Sequence, residues 1–206
     1  MQTSLPVAAN VGPARAASAS TKFEDDAILV GRIAANDKSA MHILFARHHT
    51  AVHRFVLRRI RDQALAEDVT SDVFLDVWRQ AGRFEGRAKV STWILAIARN
   101  KAIEADRRSG RTESDDALAD IEDDDENDAF TTLQIQDRSA VIRKCLSRLS
   151  AQHREIIDLV YYQEQPVQAI AKILAIPENT VKTRMFYARQ RLARELEKSG
   201  VDRTWI

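Results

Sequence analysis

The stretch Ile176–Lys198, IPENTVKTRMFYARQRLARELEK, decides how the chain is read. Val181, Met185, Ala188 and Leu192 recur at steps of three and four, the spacing of one buried helical stripe. Asn179, Thr183, Phe186 and Gln190 gather on the opposite side. A phenylalanine in the middle of a polar helical face implies a partner outside the helix's own core. Asn179–Arg194 also carries five basic residues and no acidic one. Just upstream, QPVQAIAKIL reads as another helix, with a turn at Ala175–Pro177 and Pro177 suited to a helix start. Two helices joined by a turn of three or four residues, the second basic, make a helix-turn-helix pattern, whose second helix enters the DNA major groove. In that role Phe186 meets thymine methyl groups, and Lys182 with Arg184 or Arg189 reaches guanine edges or phosphates. Thr183 bonds to either, and Thr180 and Tyr187 complete the face. The alternative is a surface helix whose Phe186 packs on a neighbouring domain and whose arginines keep it soluble.

Working outward, Ala151–Tyr162 reads as a helix with Ser150 as its N-cap, and Leu133–Leu149 as the helix before it. Glu113–Asp128 holds ten acidic residues and no basic one. Such a run buries too little apolar surface to offset its ordering entropy and is expected to be a linker. Upstream of it Arg99–Arg111 is basic again, with five basic residues against two acidic. Four helical patterns precede that point. They are marked by Ile28, Leu29 and Ile33, by Ile43, Leu44, Val52, Phe55 and Val56, by Val69, Val73, Phe74, Val77 and Trp78, and by Val90, Ile94, Ile97 and Ala98. Asp62 and Gly86 mark breaks between them. The expected organisation is all-α. A disordered tail spans 1–23, a helical unit 24–109, an acidic flexible linker 110–135, a helix-turn-helix unit 136–198 and a short tail 199–206.

With 206 residues, 45% of them hydrophobic, the chain can build one domain or two small ones. The single cysteine, Cys145, excludes an intramolecular disulfide framework, and no Cys/His set has zinc-ligand spacing. No apolar run approaches the roughly 20 residues that span a bilayer, and the first residues lack a signal-peptide pattern. These features predict a cytoplasmic protein with no membrane insertion. No catalytic triad, phosphate-binding glycine loop or carboxylate pair stands out, so no enzymatic role, catalytic residue, metal or cofactor is expected.

The segment LSAQHREIIDLVYYQEQPVQAIAKILAIPENTVKTRMFYARQRL resembles the promoter-binding domain 4 of extracytoplasmic-function (ECF) sigma factors, whose recognition helix opens with a core like TVKTR, Thr180–Arg184. The upstream LAEDVTSDVFLDVWRQAGRFEGRAKVSTWILAIARNKAIEADRR is similar to sigma domain 2, with EDV, VF, W, STW and IARN in order. The resemblance covers roughly Ile28–Leu196. It implies that domain 4 binds the minus-35 element. It also implies that the loop Arg87–Ser91 lies beside an extruded base of the minus-10 element, with Asn100 at the pocket. Arg87, Lys89, Ser91, Trp93, Asn100, Lys101, Arg107 and Arg108 are the minus-10 candidates. Two departures are visible: Val90 stands where many relatives carry an aromatic, and Trp93 is followed by Ile94 rather than a second tryptophan.

The residues support that picture independently. Ile94, Ile97 and Ala98 turn inward and leave Asn100, Glu104, Arg107 and Arg111 on an outward strip, with Asn100 able to donate to and accept from a base edge. Trp93 is either a stacking platform or, beside Ile94, part of the core. The third helix carries Glu67, Asp68, Asp72 and Asp76, a solvated face on the plain reading. By resemblance they dock on the clamp helices of RNA polymerase. His49 and His53 are four apart, a spacing open to metal, but without neighbouring ligands they read as packing or surface histidines. The linker, extended at about 3.3 Å per residue, spans on the order of 80 Å, against roughly 34 to 36 Å per turn of DNA. Two units so tethered reach two promoter elements together. The resemblance further implies core RNA polymerase, promoter DNA and an anti-sigma factor as partners. Two competing readings are a dimeric helix-turn-helix regulator and a sigma-like decoy that binds only an anti-sigma factor.

Overall fold

The computed structural model describes residues 25–110 and 132–200. Expectations for the first 24 residues, for most of the acidic linker with Arg111, and for the last six residues fall outside them. Among the described residues every regular element is helical: α1 Asp26–Ala34, α2 Lys38–Ile60, α3 Gln63–Gln80, a 3₁₀ turn Ala81–Arg83, α4 Val90–Arg108, α5 Thr132–Ser147, α6 Ala151–Ile157, a π-helical turn Asp158–Tyr162, α7 Val167–Leu174 and α8 Glu178–Lys198.

Local chemistry sets these limits. Asp37 accepts hydrogen bonds from the Ser39 and Ala40 amides at the start of α2 (2.8 and 3.2 Å), and Asp62 accepts from the Leu65 amide at the start of α3 (3.1 Å). Each caps donors that the helix cannot satisfy itself. Ser150 does the same for α6 through the His153 amide. Pro177 is the residue before α8 rather than its first residue, and α7 ends on Ala175, which is left-handed at φ 53°.

In the first unit α2 packs on α1, α3 and α4, and α3 packs on α4. Leu44, Phe55, Val56, Val73, Val77, Ile94 and Ala98 fill the centre, each of the larger side chains among them contributing about 1.5–3 kcal/mol on full burial. Ile28 and Ile43 depart from expectation and are exposed. Each lies one residue, about 100° of arc, outside its helix's buried stripe, which runs instead through Leu29, Val30 and Ile33 in α1 and Ala40 and Leu44 in α2.

The second unit joins α5, α6, α7 and α8, with α8 packed on all three others. Two boundaries differ from the sequence reading. Helix α5 begins at Thr132, inside the segment expected to be linker, because the acidic run stops at Asp128. Helix α6 does not continue regularly to Tyr162: it widens into the π turn at Asp158. The two units pack against each other through α4 and α7, and a single connected cluster of buried apolar side chains runs through both.

Candidate nucleic-acid interface

Helix α8 divides as its pattern demands. Val181 and Ala188 are fully buried and Met185 and Leu192 partly so, whereas Asn179, Lys182, Thr183, Phe186, Tyr187, Arg189 and Gln190 are exposed. Phe186 is 62% exposed, and its ring meets Tyr187 edge-on at 5.4 Å. Thr180 and Arg184 are half-buried. The Thr183 hydroxyl donates to the Asn179 carbonyl (2.9 Å), and the Arg189 guanidinium lies 5.6 Å from the centre of the Tyr161 ring. Tyr161, half-exposed beside the basic face, was not marked by the sequence pattern, since only the π turn brings it there.

Helix α4 places its candidates on three sides. Asn100 and Arg107 are exposed on the outward side. Lys101 faces α3, its ammonium 3.1 Å from Asp76, and Arg108 pairs with Glu104. Ser91 faces the other way, into a cleft of about 260 Å³ between the units, together with His48, Leu95, Tyr162 and Gln165. Trp93 is partly buried against Phe84, ring centres 5.0 Å apart. Arg87 and Lys89 are exposed in the preceding loop, Arg87 paired with Glu85 at 2.7 Å.

The acidic residues of α3 do not form one row. Glu67 sits on one flank, bonded by Gln63 at 3.3 Å, and Asp76 on the other, half-buried and held by Lys101 and Arg79. Asp76 and Lys101, expected to serve polymerase and DNA separately, thus bind each other. Between the flanks lie Asp68, Asp72 and an exposed Leu75. Leu75 was missed because it falls outside the acidic pattern.

Three of the four histidines of α2, His48, His49 and His53, pack, and His42 is exposed. His49 stacks on His53 with ring centres 5.9 Å apart and touches Phe45 at 4.6 Å, and His48 pairs with Asp26 at 2.7 Å. Burial first, then the neighbouring His53, hold His49 below the usual imidazole range.

The loop before α4 touches the helix-turn-helix directly. Lys172 Nζ donates to the Arg87 carbonyl (2.7 Å) and the Thr92 hydroxyl donates to Gln165 Oε1 (2.9 Å). Deeper in the interface Arg59 Nη1 and Arg99 Nε both donate to Glu155 Oε1 (3.2 and 2.9 Å), and Arg58 Nη2 donates to Asp158 Oδ1 (2.8 Å). Burial pushes the Asp158 carboxyl up to about 6, against the opposing pull of Arg58. None of these interdomain residues stood out in the sequence, because each reads as an ordinary surface charge on an amphipathic helix.

Two family models match this chain: Sigma-70 region 2 over residues 44–112 and Sigma-70, region 4 over residues 139–192. The chain is 32% identical over 182 residues to the ECF RNA polymerase sigma factor SigL of Mycobacterium tuberculosis, covering 84% of this chain and 98% of that protein. It is 33% identical over 171 residues to SigM of the same organism, covering 83% and 84%. Among solved structures it is similar to the sigma factor RpoE in complex with the anti-sigma factor NepR from Bartonella quintana, with 27% identity, TM-score 0.58, and 74% of this chain and 94% of that one covered. The fold also matches CnrH in complex with the cytosolic domain of CnrY, at 20% identity and TM-score 0.64, covering 85% and 99%.

Proposed function

The chain belongs to the ECF sigma factors of RNA polymerase, and on that premise we propose which of its surfaces do which part of the work. As a sigma factor it binds core RNA polymerase, directs it to minus-35 and minus-10 promoter elements and assists melting of the latter. It acts in initiation, and we assign no catalytic step to it. Its place of action is the cytoplasm, with polymerase.

Helix α8 is the minus-35 reader. Phe186, Tyr187, Lys182, Thr183 and Arg189 face outward together, and Thr180 and Arg184 flank them. The exposed Phe186 carries this assignment, since a side chain of that size on a basic, outward face has an apolar target in the thymine methyl group. The loop Arg87–Ser91 with Trp93, Asn100, Arg107 and Arg108 forms the minus-10 surface, and Lys101 supports it by fixing α4 to Asp76 of α3. The outer face of α3, Glu67, Asp68, Leu75 and Asp72, is the polymerase-docking surface. The division into units at 24–109 and 136–198, with the acidic segment between them, belongs to the same proposal.

The packed arrangement bears on how the protein works. Lys172 of α7 touches Arg87 of the minus-10 loop, whereas a tether able to reach about two turns of DNA serves elements held far apart. The packed form is therefore a resting state that separates on the promoter. An anti-sigma factor, the partner of the RpoE relative, is the expected inhibitor here as well.

The test is a distance measurement. Fluorophores on two exposed side chains outside the proposed surfaces, Lys38 in α2 and Glu197 in α8, report the separation of the units with and without core polymerase and promoter DNA. A clear increase in distance on forming the promoter complex is expected. An unchanged distance refutes the two-element arrangement.

A further inference from the structure

Three arginines of the first unit converge on carboxylates of the second. Arg59 of α2 and Arg99 of α4 share Glu155 Oε1, and Arg58 of α2 holds Asp158. We infer that these arginines are phosphate contacts for promoter DNA, and that Glu155 and Asp158 occupy them in place of phosphate while the two units are packed together. This rests on the two-element reading above and adds residues that no open reading face displays.

Position is the first argument. Arg99 directly precedes Asn100, one step of about 100° around α4, so it borders the outward face of Asn100 and Arg107. Domain 4 covers just that flank, where Thr92, Leu95 and Arg99 meet Gln165 and Glu155. When the units separate, the basic surface of α4 widens by one row without any change in the helix.

The chemistry of the pairs is the second. A guanidinium fork fits a carboxylate and a phosphate in the same bidentate way, so an aspartate or glutamate can hold the place of a phosphodiester. One carboxylate oxygen serves two arginines here; the Nε of Arg58 is buried without a hydrogen-bond partner among the described residues, and that of Arg59 has only an ion-pair contact, 3.4 Å from Asp106 of its own unit. The packed state leaves donor capacity over, and a strand of phosphates supplies more acceptors than two side chains do.

The sorting of charge is the third. The first unit contributes the arginines and the second the acids that bridge the interface. Buried ion pairs add little net stability compared with apolar packing, but both halves of such an interface are compatible with water once parted. An interface of this composition suits two surfaces that separate, and on separation it presents cations from the unit that faces the melted element.

Salt dependence of DNA binding tests this, with the full-length protein and sheared mixed-sequence duplex DNA as the probe. X-ray scattering on the same samples reports whether the units have separated. Glu155→Ala leaves two arginines without their shared acceptor and is expected to expand the particle. It should also steepen the plot of log affinity against log salt by roughly 2.7, at about 0.9 for each of the three arginines that separation of the units exposes. Adding Arg58→Ala, Arg59→Ala and Arg99→Ala to that variant is expected to leave the particle expanded and return the slope to the wild-type value. An expanded Glu155→Ala protein with an unchanged slope overturns the inference. Glu155→Lys, which sets a like charge against the arginines, is the second variant: if neither it nor Glu155→Ala expands the particle, the masking role is overturned. Retention of core polymerase by the wild-type protein is measured separately. Its absence defeats the sigma-factor assignment, whereas the slope change alone decides the phosphate contacts.

Discussion

Arg58 Nη2 lies 2.8 Å from Asp158 Oδ1, joining α2 to the π turn across 100 residues of sequence, and the same guanidinium sits 4.3 Å from the centre of the Tyr162 ring. One cation is thus held by a carboxylate and an aromatic face of the other unit. Replacing Arg58 by alanine strands the buried Asp158 carboxylate, at a cost of about 3–5 kcal/mol, and imposes that cost on the packed form only. The expected result is a larger radius of gyration in scattering with an unchanged helical circular dichroism spectrum. An unchanged radius would show that the apolar contacts of α4 and α7 hold the units without this pair.

The same carboxylate predicts a pH effect. Asp158 faces Arg58, Gln163 and Glu155, and burial raises its pKa from the ordinary 3.8 to about 6. The packed form therefore binds this proton more tightly than the separated form. Its contribution favours packing fully below pH 3.8 and is lost as pH rises through about 6. The difference corresponds to about 3 kcal/mol at most. Lowering pH from 7 to about 5 is expected to shift wild-type protein toward the packed form, read by the distance between fluorophores on the two units. Asp158→Asn should flatten that part of the profile, and an identical profile in the variant refutes the assignment.

On α8, Phe186→Ala should leave stability within about 0.5 kcal/mol of wild type, because the ring is exposed. Binding to a minus-35 duplex is expected to fall by about 1–3 kcal/mol, roughly fivefold to 150-fold. Equal loss of stability and affinity would mean that Phe186 holds the fold rather than the DNA.

On α3, Leu75 is 44% exposed one turn beyond Asp72, on the same face as Asp68 and Asp72. Leu75→Asp keeps the acidic character of the face and removes its apolar centre. Affinity for core polymerase should drop by about 1.5–3 kcal/mol, measured by competition with an unmodified sigma factor. The salt slope for mixed-sequence DNA should not move. If polymerase affinity is unaffected, the docking surface lies elsewhere.

How much of this was legible in the sequence varied with the kind of signal. The helices were readable where a side-chain period coincided with a cap: Asp62 and Ser150 mark their helix starts in the sequence as plainly as in the structure. The two faces of α8 followed from spacing alone, because a helix exposed on one side leaves its partition in the pattern. Ile28 and Ile43 were misplaced because an apolar residue one position off the stripe looks the same in a short window. The π turn was invisible, since no period or cap in the sequence marks it. The interdomain network was equally hidden. Arg59, Arg99 and Glu155 are residues of three different helices, and nothing local distinguishes a paired arginine from a solvated one. The assignment of Asp76 and Lys101 to separate partners failed to anticipate their ion pair for the same reason.

Transcription in vitro tests the central claim most directly. Core RNA polymerase is incubated with a promoter library in the presence and absence of the full-length protein, and transcript starts are mapped. The account predicts that the protein is retained by the core enzyme and that new starts appear downstream of a shared bipartite motif, and that they weaken with Phe186→Ala at one element and Asn100→Ala at the other. No retention and no new starts, with tight binding to a palindromic duplex instead, would contradict it and identify a conventional dimeric regulator.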